Sequence, residues 1–242
     1  MLIMNKKVTI RQKGFTLIEL MIAILIGFIV VAAVLTIYIT TIRGSSNTLK
    51  LTRLNQDMGV AMLIMTNDIR RAGYWGGAIT GANLTLNPFT DVEVRNLGAG
   101  ALQVPVAGTP VTGNCITYSY DANAWPNAAY NVADSNAPEV SEYFGFRLSN
   151  GAIQIKTQGD TSLAVNCNDA DSVWVNLTNP DEITITNLQF TLSAEYTATN
   201  SSGNTVTARS VGITLNGQSE SDATIISTKS DNVKIRNNLV VP

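Results

Sequence analysis

The chain contains no histidine. That absence removes the Ser-His-Asp and Cys-His catalytic arrangements and every histidine-containing zinc or haem site. Charge is scarce as well: 14% of residues are Asp, Glu, Lys or Arg, against 45% hydrophobic ones, a low share for a soluble cytoplasmic protein. Cysteine is limited to Cys115 and Cys167, which form neither a C-x-x-C redox pair nor a four-cysteine metal set. No G-x-x-x-x-G-K-[ST] phosphate loop occurs. Beyond the first fourteen residues there is no basic run, and nucleic-acid affinity depends on Lys and Arg neutralising phosphates. Direct nucleic-acid binding is therefore not expected, although the fold could still gather a local basic patch.

What is present is concentrated at the N-terminus. A leader with Lys6, Lys7, Arg11 and Lys13 and no acid is followed by Gly14-Phe15-Thr16-Leu17-Ile18-Glu19-Leu20 and then a long apolar run. Glu19 stands at the mouth of a membrane-grade helix, where a charge costs about 2.5–3.5 kcal/mol on insertion scales and is a functional hypothesis by default. A secretory signal carries its small-residue cleavage site beyond the apolar segment, so cutting discards that segment. Here the small residue, Gly14, precedes the run, and a cut after it leaves the helix on the mature chain. Loss of the leader takes the basic residues from 16 to 12 against 18 acidic ones, moving the net charge from −2 to −6.

Residues 20–35 carry no polar side chain, and apolar character continues to Ile42. As a helix, residues 20–42 span roughly 35 Å, enough for a bilayer core of about 30 Å. The basic leader orients the span with its N-terminus in the cytoplasm and the remainder outside. Beyond it, Leu51, Leu54, Met58, Ala61, Met62, Met65, Ile69 and Ala72 recur at three-to-four spacing, an amphipathic stripe that most simply packs on a globular head. Gly44, Ser45, Ser46 and Asn47 are expected to loosen the junction, and Gly73, Gly76 and Gly77 to stop the helix near Ala72. The expected organisation is a leader at 1–14, a membrane helix at 15–42, an amphipathic helix at 43–76 and a β-rich head at 77–242.

From residue 78 the pattern changes to short β-type runs between turn residues, with strands expected at 102–106, 115–120, 143–148, 152–157, 172–177, 182–192, 205–215 and 232–241. Asn150-Gly151 and Gly203-Asn204 read as hairpin turns. Residues 78–100 and 121–138 read as loops. The fold class is α+β: a long N-terminal helix, half membrane-embedded and half amphipathic, packed on an antiparallel β-sheet head.

The basic leader, G-F-T-L-I-E-L and apolar helix resemble the signal of type IV pilins and pseudopilins. In finer detail, residues 67–76 (Asn67-Asp68-Ile69-Arg70-Arg71-Ala72-Gly73-Tyr74-Trp75-Gly76) are similar to the helix end of PilW-type minor pilins. The tail Val233-Lys234-Ile235-Arg236-Asn237-Asn238 resembles the closing strand of that family and of the larger pseudopilins. Major pilins often carry proline where Thr36 stands, and this departure favours a minor pilin or pseudopilin. The resemblance implies that a prepilin peptidase cuts between Gly14 and Phe15 and methylates the new amine of Phe15. It also implies that Glu19 pairs with a Phe15 amine during assembly, and that the partners are other major and minor pilins and an inner-membrane assembly platform. The implied location is a single pass of the inner membrane with a periplasmic head, then the pilus or its tip. A type II secretion pseudopilin is the alternative, and a membrane-anchored periplasmic enzyme or binding module the weakest reading. No enzyme activity and no cofactor are expected.

In an oxidising exterior the even pair Cys115 and Cys167 reads as a disulfide closing a loop of about 50 residues, worth roughly 4 kcal/mol; two separate buried thiols are the alternative. Asp169 and Asp171, near Asn166 and Asn168, form a small oxygen-rich cluster that is a weak Ca²⁺ candidate without the EF-hand pattern. Trp75, Trp125 and Trp174 are expected in the core. Asn83 and Asn176 head glycosylation sequons that a bacterial reading discounts.

Overall fold

A computed structural model of the chain describes residues 14–76, 87–97, 109–122, 138–156, 167–168, 173–199, 201 and 203–241. The expected strand at 102–106, Trp125, Asn83 and the pair Asp169 and Asp171 lie outside the described residues. The chain divides into two units, Met1–Thr48 and Leu49–Pro242.

One helix, α1, runs without interruption over Leu17–Ile69. The expected loosening at residues 44–47 does not break it. Thr48 donates its hydroxyl to the carbonyl of Gly44 at 2.9 Å, and Thr36, Thr40 and Thr41 donate theirs to carbonyls one turn back at 2.8–3.0 Å. A threonine bonded this way presents only its methyl group outward, so it costs little within an apolar span. In the first unit the side chains from Phe15 to Ile42 are exposed throughout, Phe15 at 82% and Phe28 at 71%. Among the described residues α1 is the one helix long and apolar enough to cross a membrane.

In the second unit α1 buries Leu54, Met58, Ala61, Met62, Met65, Thr66 and Ile69. Fully burying a Leu, Ile or Met side chain is worth about 1.5–3 kcal/mol each. Leu51, expected in the stripe, is 41% exposed, while Thr66 is buried with its hydroxyl on the carbonyl of Leu63 at 3.1 Å. The helix ends three residues before Ala72, and Gly73 takes the left-handed conformation that commonly closes a helix, at φ +76°.

The stripe joins one apolar cluster with residues from both of two antiparallel sheets. The first sheet has the order β1–β3–β4–β5–β6, with β1 Val92–Arg95, β3 Cys115–Ser119, β4 Tyr143–Ser149, β5 Ala152–Lys156 and β6 Trp174–Asn176. The second has the order β10–β8–β7–β2, with β2 Val111–Gly113, β7 Ile183–Thr199, β8 Thr205–Ser219 and β10 Leu239–Val241, while β9 Asp222–Lys234 also pairs with β8. Alternation places Ile116, Tyr118, Phe146 and Ile153 of the first sheet and Leu188, Phe190, Leu192, Val211, Ile213 and Leu215 of the second in this core. Where β2 passes β1, a Cβ on Gly113 would stand 2.2 Å from the carbonyl oxygen of Arg95, so only glycine fits.

The turns at Asn150-Gly151, with φ of +50° and +74°, and at Gly203, with φ +86°, close the expected hairpins. Three expectations need correction. Residues 92–95 form a strand inside a stretch read as loop. The short β2 was not expected. The closing strand is two, β9 and β10, and β9 begins ten residues earlier than expected. Most of β9 is exposed, so it lacks the apolar alternation that marks a half-buried strand.

Candidate functional site

The start of α1 is set by Thr16. Its hydroxyl accepts a hydrogen bond from the backbone N–H of Glu19 at 3.3 Å, and its carbonyl accepts one from Leu20 at 3.2 Å. Thr16-Leu17-Ile18-Glu19 thus has the residue order of a capping box, with an acid in the first turn where the helix dipole favours negative charge. Gly14 and Phe15 precede the cap in a non-helical conformation. A Cβ on Gly14 would meet nothing within 4 Å, so no packing contact among the described residues requires glycine there.

The other end of α1 is tied down by groups far apart in sequence. Asp68 accepts hydrogen bonds from the Tyr118 hydroxyl, from the Tyr120 hydroxyl at 3.1 Å and from Arg71. The Arg71 guanidinium also bonds the Tyr120 oxygen at 2.7 Å and lies 4.5 Å over its ring, which in turn stacks on Phe144 at 4.0 Å. Burial, then the Asp68 charge, pushes the Tyr118 phenol well above its usual pKa, and the same two causes raise Tyr120. Both therefore donate to the carboxylate as neutral phenols. Gly73 donates to the carbonyl of Ser119 at 2.9 Å, and Asn87 and Asn237 donate their amides to Gly73 and Ala72 at 3.0 and 3.1 Å. Arg236 donates its N–H to Arg70 at 3.3 Å. Residues 67–76 and 233–238, singled out separately in the sequence, therefore meet at one joint.

Asp68, Tyr118 and Tyr120 were not singled out beforehand as a set. The available signal was the two-residue spacing of Tyr118 in β3 and Tyr120 just after it, together with an acid near the helix end; their pairing across fifty residues left no local trace. Asp68→Asn keeps one carbonyl acceptor but loses the charge that Arg71 and two phenols share. It is expected to lower head stability by about 2 kcal/mol, measurable by urea denaturation of the detergent-solubilised full chain, with an unchanged midpoint counting against the joint.

Cys115 and Cys167 are joined in a disulfide. Beside it, Arg147 is buried, stacks on Trp174 at 4.6 Å, and donates to the Cys167 carbonyl at 2.9 Å and to Gln154 at 2.7 Å. Trp75 and Trp174 are buried, as expected for core tryptophans. Glu93 is paired with Arg95, and its pKa is raised because burial outweighs that pairing. Asn176 accepts from the Gln154 amide at 2.9 Å. No group of three or more His, Cys, Asp or Glu residues that could hold a metal occurs among the described residues.

A family model described as the prokaryotic N-terminal methylation motif matches residues 10–35. A second, described as prepilin peptidase-dependent protein B, matches residues 47–235. Neither a curated protein nor a solved structure matches the chain.

Proposed function

The chain belongs to the prepilin peptidase-dependent protein B family, and from that premise we propose that it is a minor pilin of a type IV pilus. It co-assembles through α1 and either primes pilus assembly or sits at the tip. The observation that carries the reading is an apolar half-helix with no buried side chain, most of which lies within the methylation motif matched at residues 10–35. Such a surface needs lipid before assembly and other helices after it.

On this reading residues 1–14 are the leader, 15–42 the membrane and assembly helix, 43–76 its continuation into the head and 77–242 the periplasmic part. The peptidase cuts between Gly14 and Phe15 and the Phe15 amine is methylated. Glu19 pairs with that amine in the same or a neighbouring subunit. The partners are the prepilin peptidase, other pilins and the inner-membrane platform, and the work is assembly rather than catalysis. The open space around Gly14 among the described residues supports a demand for glycine from the peptidase instead. The tail at 233–238 is common to this reading and to a type II secretion pseudopilin. Deletion separates them: loss of twitching or DNA uptake marks the pilus, loss of exoprotein secretion the secretion system.

Mass spectrometry of the mature N-terminus tests the processing. N-methylphenylalanine from Phe15 is expected, and retention of Met1 overturns the reading. Gly14→Val is expected to slow removal of the leader at least about tenfold, the rate effect of losing about 1.4 kcal/mol of transition-state contact, while the head folds as before.

A further inference from the structure

The second sheet turns one face to the apolar core and the other outward. Alternation puts Leu215 and Ile213 of β8 inward, so Gly212, Thr214 and Asn216 face out. Register extends this outer face over β7 and β9, in four successive rows from Thr184–Gln218–Ile226 to Thr191–Gly212–Asn232. No row holds an Asp, Glu, Lys or Arg, and the two middle rows, through Asn216 and Thr214, consist of amides and hydroxyls. Charge returns at either end, with Glu220, which accepts the Thr184 hydroxyl, and with Lys234 opposite Ser210. The neutral strip measures roughly 20 Å along β8 and roughly 10 Å across the three strands.

Two features separate it from a sheet face that is merely solvated. On β9 the charges lie on the helix side. Lys229 reaches over Gly59 of α1, Ser227 bonds Asn55 at 2.7 Å, and Asp231 shares their side by alternation. The outward Thr228, Ser230 and Asn232 are exposed and neutral. Inward charges guard an open sheet edge, but that role does not ask the outward positions to be neutral. The second feature is Gly212, inside the central strand, where glycine weakens the sheet. A Cβ there would meet the Thr191 Cβ at 3.6 Å, an ordinary contact, and Gly212 is not among the glycines with positive φ. The fold therefore accepts a larger residue. A strand glycine that packing does not require marks a place where a ligand comes close to the backbone.

We propose that this face binds an uncharged glycan chain, laid along β8 with a sugar ring over Gly212. Sugar hydroxyls donate and accept hydrogen bonds without carrying charge, and Asn, Gln, Ser and Thr side chains answer in kind. Nucleic acid would need Lys and Arg against its phosphates, and an extended peptide adds to the edge of a sheet rather than to its face. Ile226, 68% exposed in the end row, offers apolar surface to the C–H side of a ring. The site uses the head alone, so it goes beyond the assembly role and holds for either filament.

The full chain, in a detergent without a sugar headgroup, is passed over cellulose, chitin and dextran beads. Retention on at least one of them is expected, and it should persist in about 1 M salt, where charge is screened within about 3 Å. Gly212→Val is expected to lower the bound fraction at least about tenfold with an unchanged or raised urea midpoint. Gln189→Glu with Asn232→Asp keeps the shapes but exchanges amide donors for charge, and the same loss is expected. Should Gly212→Val fail to fold, this second variant decides. Retention on none of the three polymers, release by salt, or native retention of either variant in folded form overturns the proposal. So does a dimer in chemical crosslinking that Gly212→Val abolishes, since ladders of Asn and Gln also zip to their own kind.

Discussion

A Glu19→Leu chain is expected to enter the membrane as well as the native chain and to reach sheared filaments at least about tenfold less often. Insertion should not suffer, because the substitution removes a carboxylate that costs about 2.5–3.5 kcal/mol in lipid and α1 keeps its Thr16 hydroxyl on the residue-19 amide whatever the side chain. Assembly should suffer, because a Phe15 amine drawn into a bundle of apolar helices then has no counter-charge, and an uncompensated ion in such surroundings is worth several kcal/mol. A loss of only 1.4 kcal/mol already gives a factor of ten. Glu19→Gln separates charge from shape: on the proposed pairing it behaves like Leu. Wild-type levels of either variant in sheared filaments remove the pairing from the proposed function, while loss of the variant from the membrane fraction assigns Glu19 to insertion instead.

Reduction of the Cys115–Cys167 bond, or Cys115→Ser, is expected to lower the stability of the head by about 4 kcal/mol, the chain-entropy value for a loop of this order. The bond spans 52 residues and encloses β4 and β5, so the unfolded chain regains a large ensemble when it opens. Reduced, the Cys167 segment keeps the Arg147 hydrogen bond and the nearby Trp174 stack. These local contacts are worth about 1–2 kcal/mol and cannot replace a covalent closure. Urea denaturation of the solubilised full chain with and without reductant reads the difference directly. A change below about 1 kcal/mol means that the Arg147–Trp174 platform, not the disulfide, holds the segment.

The helix was legible because its signals are local: an unbroken apolar run, then Leu54, Met58, Met62, Met65 and Ile69 at helical spacing. The strands from β3 to β5 and the Asn150-Gly151 turn were legible for the same reason. β9 was not. Its inward positions include Ser227, bonded to Asn55 at 2.7 Å, and Lys229, whose stem lies over Gly59. Neither residue advertises a buried side, and Ile226, the large apolar residue on the outer face, is 68% exposed. The joint of Asp68 with Tyr118 and Tyr120 was invisible because its parts are about fifty positions apart. Of the candidate site, Gly14, Phe15 and Glu19 could be named from the motif, whereas the cap at Thr16 went unread, although Thr16 with Glu19 three residues on before an apolar run has the residue order of a capping box.

That cap has a consequence for timing. Thr16 lies on the retained side of the proposed scissile bond, so the hydrogen bonds it accepts from Glu19 and Leu20 at the start of α1 use no leader residue. Processing then asks for no refolding and leaves the helix where it was in the bilayer. What changes is electrical: four leader cations leave and one ammonium appears four residues from Glu19. On the proposed processing, a subunit waits in the membrane already folded and becomes competent when its terminus is freed, with the peptidase acting as the clock.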